Sequence, residues 1–428
     1  MSHLSRTLTL AAVSLAALVA AQGGAQAGAF GLREQSAASQ GLSFAGAASG
    51  SGYLSSMFWN PAVITMMPGW NTEASLSLIV PRVDINPLPS VPTFAFGGSG
   101  DIGQDAIVPT SYNSFQINDM LWVGLSTTSP YGLVTDPRDN WAGQVYSRSS
   151  KVFSLNANPV LGIKVNNWLS VAAGPSLQYF DIRLKRAAAV TPGAPTVTLD
   201  GDDIGFGFTA GVTLTPFAGT SIGIGYRSRI DHELEGTVTS PLARIPISSD
   251  LTTPDQLTIG ISQAITPALT VHAGFEWTNW SVLETPLVTG PGGVVVTDLP
   301  LNYDDGYFYS LGFDYKYSNQ LTLRAGVAYE ESPIDTEVRS TRLPDNDRIW
   351  ASVGATYQWN EKLSFDIAYT HIFTKETDIR ILPGQQDFEG LPFVADVDSS
   401  TDIVTVGLRY RWDDPAVAIP AAPIVRKY

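Results

Sequence analysis

Trp350-Ala351-Ser352-Val353-Gly354-Ala355-Thr356-Tyr357-Gln358-Trp359 alternates without a break. Ala351, Val353, Ala355, Tyr357 and Trp359 fall on one side, and Ser352, Gly354, Thr356 and Gln358 on the other. Successive residues of an extended strand point to opposite faces, so this period of two means a strand with one apolar and one polar face. The run is longer than the usual strand of a soluble sheet, about five or six residues. Its apolar side ends in Tyr and Trp, the side chains that gather at a lipid–water boundary. A face of Gly, Ser, Thr and Gln suits a polar interior and not a dry sandwich core.

Working outward, the same pattern recurs. Leu321, Leu323, Ala325, Val327 and Tyr329 oppose Thr322, Arg324, Gly326, Ala328 and Glu330. Val404, Val406, Leu408, Tyr410 and Trp412 oppose Ile403, Thr405, Gly407, Arg409 and Arg411. Alternation predicts strands at 72–86, 105–117, 120–129, 145–165, 168–186, 203–215, 220–238, 252–265, 268–283, 303–317, 320–332, 347–359, 362–374 and 399–412. That count, about fourteen, is even, as in bacterial single-chain barrels. Two-residue links such as Asn118-Asp119, Asn166-Asn167, Ser318-Asn319 and Asn360-Glu361 read as tight periplasmic hairpins. Longer links at 187–202, 239–251, 284–302, 332–346 and 377–397, rich in Pro, Gly and Asp, read as extracellular loops. The expected fold is all-β: a 14-stranded antiparallel transmembrane β-barrel of the bacterial outer membrane.

The start of the chain agrees with that destination. Arg6 precedes an apolar run from Leu8 to Ala21, and Ala25-Gln26-Ala27 offers a cleavage site, so 1–27 reads as a signal peptide. The stretch 28–71 is rich in Gly, Ala and Ser, lacks alternation and holds Trp59-Asn60-Pro61-Ala62. It reads as a hatch inside the lumen, with a disordered tail as the other reading. The barrel proper occupies 72–412, and 413–428 is a Pro- and Ala-rich C-terminal tail.

Composition removes whole classes of chemistry. A net charge of −15 argues against nucleic acid as a partner. Without a single Cys there is no disulfide, thiolate ligand or thiol nucleophile. Gly98-Ser99-Gly100-Asp101-Ile102-Gly103 has dinucleotide-fingerprint spacing, but Pro109 and a strand follow it where a helix is needed. Gly219-Thr220-Ser221-Ile222-Gly223 resembles a nucleophile elbow, again with no helix after it. His232, His272 and His371 are far apart, and His272 beside Glu276 reads as a solvated interior histidine. Asp200, Asp202 and Asp203, like Asp345 and Asp347 around Asn346, have oxygens that suit calcium but read first as solvated loop charge. No catalytic residue, metal or cofactor is assigned, and no enzymatic activity is expected. Two rival functions stay open: a general porin for small polar solutes, and a barrel lipase acting through Ser221.

Several short strings, in order, give the chain a family resemblance. They are Gly28-Ala29-Phe30-Gly31-Leu32-Arg33-Glu34-Gln35-Ser36, then Trp59-Asn60-Pro61-Ala62, Gly103-Gln104-Asp105-Ala106 and Ser129-Pro130-Tyr131-Gly132. Ser332-Pro333, the run Leu343-Pro344-Asp345-Asn346-Asp347-Arg348-Ile349-Trp350 and Tyr369-Thr370-His371 follow. With these the mature chain resembles the long-chain fatty acid transporters of the outer membrane, a family that includes importers of aromatic hydrocarbons. The resemblance implies a fourteen-stranded barrel with an N-terminal hatch. It implies passive uptake of hydrophobic molecules, with capture by loops, movement of the hatch and lateral exit through the wall.

On this resemblance Phe30 contacts the ligand, Asn60, Pro61 and Ala62 brace the hatch, and Pro130, Tyr131 and Gly132 lie by the lateral gap. The partners implied are fatty acids or hydrocarbons and outer-membrane lipid, for a barrel expected to be a monomer. One departure stands out: the positions expected to hold a carboxylate with Arg and Lys fall at Asp181 and Asp304. Arg183 and Lys185, on the same strand face as Asp181, are the expected substitutes; otherwise the ligand is an uncharged hydrocarbon.

Overall fold

The computed structural model describes residues 28–413 apart from Ser51 and Gln386. The expected signal peptide at 1–27 and the expected C-terminal tail, apart from Asp413, lie outside the described residues. The wall strands are β1 (Trp70–Pro87), β2 (Ala106–Gln116), β3 (Leu121–Thr128), β4 (Ser149–Lys164), β5 (Leu169–Ala187), β6 (Thr196–Leu214) and β7 (Thr220–Arg227). They continue as β8 (Gln256–Ala264), β9 (Leu269–Thr278), β10 (Gly306–Lys316), β11 (Leu321–Glu331), β12 (Arg348–Gln358), β13 (Leu363–Thr374) and β14 (Phe393–Arg411). Each pairs antiparallel with the next, and β14 pairs with β1 from Asn71↔Arg411 to Pro87↔Ala395. The ring of 14 strands therefore closes, and backbone groups are satisfied between strands as a membrane core demands.

The burial pattern is inside-out relative to a soluble protein. Leu311 and Phe313 of β10, Val353 of β12 and Val404 and Val406 of β14 face outward and are exposed, while Glu276, Arg324 and Thr370 are buried inside. Tyr315, Tyr317, Tyr357 and Trp359 crowd the periplasmic ends of the apolar band.

The segment ahead of β1 packs inside this ring. It holds a short helix, α1 (Ala37–Gln40), and three 3-10 turns at Ala47–Ser49, Leu54–Phe58 and Pro61–Met66, nearly all buried. Inward glycines of the wall are the reason it fits. A Cβ at Gly223 would overlap Ala48 O, one at Gly225 would overlap Trp59 O, and one at Gly326 would overlap the Leu42 carbonyl. Glycine on the polar face thus marks where one backbone lies directly on another.

The strand bounds differ from expectation above the membrane. β6 begins at Thr196, so the expected loop 187–202 shrinks to 188–195. The expected strand 220–238 breaks after Arg227. Its continuation Ile230–Thr239 leaves the β7–β8 seam and pairs with the outer part of β6 and with Arg244–Thr253. The expected loop 239–251 is therefore mostly a hairpin, and β14 starts at Phe393, where it pairs with Thr377–Ile381. In these extensions Asp200, Asp202, Asp231, Glu233 and Glu235 occupy the outward positions. They face water and not lipid, so the outward side of these extensions is acidic where a membrane-crossing strand is apolar.

Candidate functional site

The seam between β2 and β3 is incomplete. β2 pairs with β3 only from Ser111↔Thr127 to Gln116↔Trp122, and its outer part, Ala106 to Thr110, pairs with β1 alone. β3 stops at Thr128, turns inward through Ser129 and Pro130, and returns as Gly132–Thr135 against β4. Pro130 has no amide hydrogen to give a ladder. The inturned backbone is satisfied by the N-terminal segment instead. Leu32 N–H donates to Pro130 O at 2.7 Å, Gly132 N–H donates to Phe30 O at 2.9 Å, and Gly31 bridges Tyr131 antiparallel. Gln35 Nε2 donates to Ser129 O at 2.8 Å. The sequence-predicted Phe30 and the predicted gap residues Pro130, Tyr131 and Gly132 therefore form one small ribbon.

Phe30 is 6% exposed at the centre of an aromatic cluster. Trp280, Tyr131 and Phe180 meet it edge-on with ring centroids at 4.8, 5.9 and 6.4 Å. Above Phe30 lies a cavity of about 1520 Å³ between atoms, open solvent at its mouth included. Val152, Phe180, Ile182, Leu184 and Leu251 form its walls, and Leu299, Leu301, Tyr303 and Leu343 come from the covering loops. Five charged side chains interrupt this apolar lining: Arg186, Asp298, Arg342, Asp387 and Glu389.

Arg342 is the best placed of them for an anion. Its Nη1 donates to Ser149 O, Ser150 Oγ and Lys185 O at 3.2–3.4 Å, which fixes the guanidinium at the rim of β4 and β5. Among the described residues the side-chain hydrogen bonds of Arg342 all leave from Nη1, so Nε and Nη2 are not engaged there. Burial pulls its pKa down to about 10 against the attraction of Asp387. Burial pushes the Asp387 carboxyl up to about 6, opposed by Arg342 and assisted by Glu389. Arg186 is already engaged, with Nη1 at 3.4 Å from Glu389.

Arg183 and Lys185 do not line this cavity. They alternate with Ile182 and Leu184, which do, so both point to the outside of the wall. Lys151 and Asp181 share that outer face, 3.7 Å apart, and Asp304 pairs its backbone with the Pro333 carbonyl in the covering loops. Polarity flips along β5. In its lower half Ser176 and Gln178 face inward and Leu177 outward; above Tyr179 the inward residues are Phe180, Ile182 and Leu184. Arg186 and Arg342 take the inward places that sequence reasoning gave to Arg183 and Lys185. Arg186 carried a signal, since it shares parity with the apolar run Phe180, Ile182 and Leu184. Arg342 lies in an irregular loop and carried none.

Below the cavity the N-terminal segment is held by polar groups. Asn60 Nδ2 donates to Ala48 O, Val212 O and Thr213 Oγ1 at 2.8–3.0 Å. Its Oδ1 accepts from Ala62 N–H at 3.0 Å, capping a turn that starts with Pro61. Arg33 lies 2.6 Å from Glu276 and 3.2 Å from Glu330, and Ala29 N–H donates to Asp345 Oδ2 at 3.0 Å. Asp345 also pairs with Arg348.

The rival chemistry finds no room here. Ser221 Oγ donates to Ser49 O at 2.6 Å and meets no histidine. Ser262, His272 and Asp314 do form a chain, with contacts of 2.7 and 3.1 Å. Yet His272 is fully buried and roofed by Gly46, where even a methyl group would crowd Ser262 Oγ and the imidazole. It is thus enclosed, whereas the sequence reading expected a solvated interior histidine. Among the described residues no three His, Asp or Glu side chains are grouped to hold a metal ion.

With this geometry in view, the chain was compared with known proteins. A sequence model of the family described as outer membrane protein transport protein (OMPP1/FadL/TodX) matches residues 16–412. A 47 kDa outer membrane protein of Pasteurella multocida is 28% identical, with 95% of this chain and 98% of the relative covered. A long-chain fatty acid transport protein of Escherichia coli is 27% identical over 80% of this chain and 86% of its own. Among solved structures, a Pseudomonas aeruginosa FadL homologue superposes with a TM-score of 0.81 at 22% identity, covering 90% of this chain and 100% of that one. The toluene transporter TodX of Pseudomonas putida gives 0.65 at 17% identity, covering 85% and 95%.

Proposed function

The chain belongs to the OMPP1/FadL/TodX family of outer-membrane transporters of hydrophobic substrates, and from that premise we propose that it takes up long-chain fatty acids. It is a transporter of the outer membrane and not an enzyme. The observation that carries the proposal is the apolar cavity with the Arg342 guanidinium at its rim. Each methylene moved from water into such a cavity stabilises the complex by about 0.8 kcal/mol, so a long chain supplies the driving force. A carboxylate, by contrast, enters an apolar chamber only with a charged partner. Arg342 meets both needs: it is anchored on one nitrogen and has others to donate. The Escherichia coli relative, a long-chain fatty acid transport protein, agrees with a fatty acid.

In this reading the extracellular loops capture the molecule and the cavity holds it against Phe30. Displacement of the segment around Phe30 frees the inturned backbone of Pro130 to Gly132, and the molecule leaves sideways through the incomplete β2–β3 seam. Asn60, Pro61 and Ala62 keep the rest of the segment seated. Lateral exit suits an apolar cargo, which stays out of water by passing straight to lipid. A second reading, uptake of an uncharged hydrocarbon, is favoured by Asp387 and Glu389, whose charges oppose those of Arg342 and Arg186 in the same cavity.

Direct binding to the purified barrel separates the two. A long-chain fatty acid should bind, and Arg342→Met should weaken it about tenfold or more, the scale of one charge-assisted hydrogen bond. Binding of a hydrocarbon alone, indifferent to Arg342→Met, contradicts the fatty acid assignment.

A further inference from the structure

Below the aromatic cluster lies a second, smaller cavity of about 580 Å³ between atoms. Tyr131 and Trp280, the partners of Phe30, form its upper wall, and Pro130 places it against the inturned end of β3. It thus stands between the upper cavity and the incomplete seam.

Its charged lining is unevenly paired. Glu276 is engaged by Arg33, by Gln256 Nε2 at 2.7 Å and by Thr258 Oγ1 at 3.2 Å. Glu330 is engaged by Arg33 at 3.2 Å and by Trp350 Nε1 at 3.0 Å. Arg227, at the outer end of β7, differs. It is 6% exposed, it has no carboxylate within ion-pair distance among the described residues, and its Nε and Nη1 have no hydrogen-bond partner. Nη2 alone donates, to Phe58 O at 2.9 Å, and the guanidinium rests over the Phe58 ring, 4.3 Å from its centroid. A buried guanidinium with two idle nitrogens is costly unless an acceptor arrives. The Phe58 anchor fixes the plane of the group, and Nε and Nη1, on opposite sides of Cδ, each keep an N–H to give to an anionic acceptor.

We propose that Arg227 is a second carboxylate station, receiving the head group of a long-chain acid in transit from the upper cavity to the seam. This rests on the proposed uptake of fatty acids through that seam. The station lets the head group pass from one buried guanidinium, Arg342, to another, and never leaves it without a cation in an apolar layer. It adds to the carboxylate binding of the upper cavity a second selection for acids, made during passage.

The test compares a long-chain fatty acid with the fatty alcohol of the same length, using the full barrel reconstituted in liposomes. Arg227→Met is expected to slow uptake of the acid about tenfold or more, the effect of one lost charge-assisted contact. Alcohol uptake and acid binding in the upper cavity should stay within about twofold, below the kcal/mol scale of such a contact. Arg227→Lys should restore most of the acid uptake. Arg227→Gln, which keeps a donor for Phe58 O, should repeat the selective loss if Arg227→Met does not assemble. Equal uptake of the acid by variant and wild type, or equal losses of acid and alcohol, overturns the station. Failure of the wild type to take up either compound overturns the proposed function instead, and the station with it.

Discussion

β12 and β13 are paired along their whole length, from Arg348↔Thr374 to Gln358↔Ser364, whereas β2 and β3 meet only over the inner part of β2. The first seam is sealed by its own backbone. The second is sealed by a different piece of chain, the ribbon in which Phe30 and Leu32 serve the inturned residues Pro130 and Gly132. A ladder between neighbouring wall strands opens only with the fold. A ladder to the N-terminal segment opens whenever that segment moves, and the same segment carries the ring beneath the ligand cavity. In the proposed mechanism, opening of the wall and occupation of the cavity are thereby joined through one residue, Phe30.

This contrast can be broken at three levels. The largest effect belongs to Phe30→Ala, which empties the centre of the aromatic cluster. Loss of a buried Phe costs about 3–5 kcal/mol. Hydrogen exchange should therefore quicken at Leu32 and Gly132, while the amides of β12 and β13 keep their protection. Uniform loss of protection in both seams would contradict the division.

Asn60→Ala comes next. It removes a helix-turn cap and leaves the Ala48 and Val212 carbonyls without their donor, an effect of about 2 kcal/mol on the seating of the segment. Protease nicking within 54–66 of the folded barrel should rise, with barrel assembly unchanged.

The smallest effect is a pH dependence. Asp387, with its pKa pushed up to about 6, opposes an anion at Arg342 when ionised and not when protonated. Affinity for a long-chain alkyl sulfonate, whose own charge is constant, should therefore rise several-fold as pH falls through about 6. Asp387→Asn should hold the higher affinity across the range. A flat profile in the wild type would remove Asp387 from the site.

The wall was legible because lipid demands an apolar outer face and the lumen does not, so alternation survives in every membrane-crossing stretch. The same rule misled where its premise lapsed. In β5 the alternation continues but its meaning reverses at Tyr179: below, apolar residues face lipid, and above, they face the ligand cavity. Arg183 and Lys185 were chosen because they share a strand face with Asp181, where the family register put the carboxylate contact, and that face is the outer one. The break after Arg227 was hidden for a related reason, since Ile230–Thr239 alternates as regularly as a wall strand. Phe30 and Asn60 were found through family strings and not through any pattern of their own. Arg342 and Arg227 were missed, one in an irregular loop and the other among several inward arginines that read alike. What sets Arg227 apart is a missing partner, a property of packing that no linear pattern records.

The central claim is sideways exit through the β2–β3 seam, and photocrosslinking tests it most directly. A long-chain fatty acid with a photoreactive group at its tail would be bound to the reconstituted barrel, irradiated, and its adducts mapped by mass spectrometry. Adducts at Ile107, Pro109 and the residues from Ser129 to Tyr131, beside those of the upper cavity, are the predicted result. Adducts at the periplasmic mouth, at Met66, Phe217 and Ser221, with none along the seam, would mean passage straight through the lumen and would contradict the account.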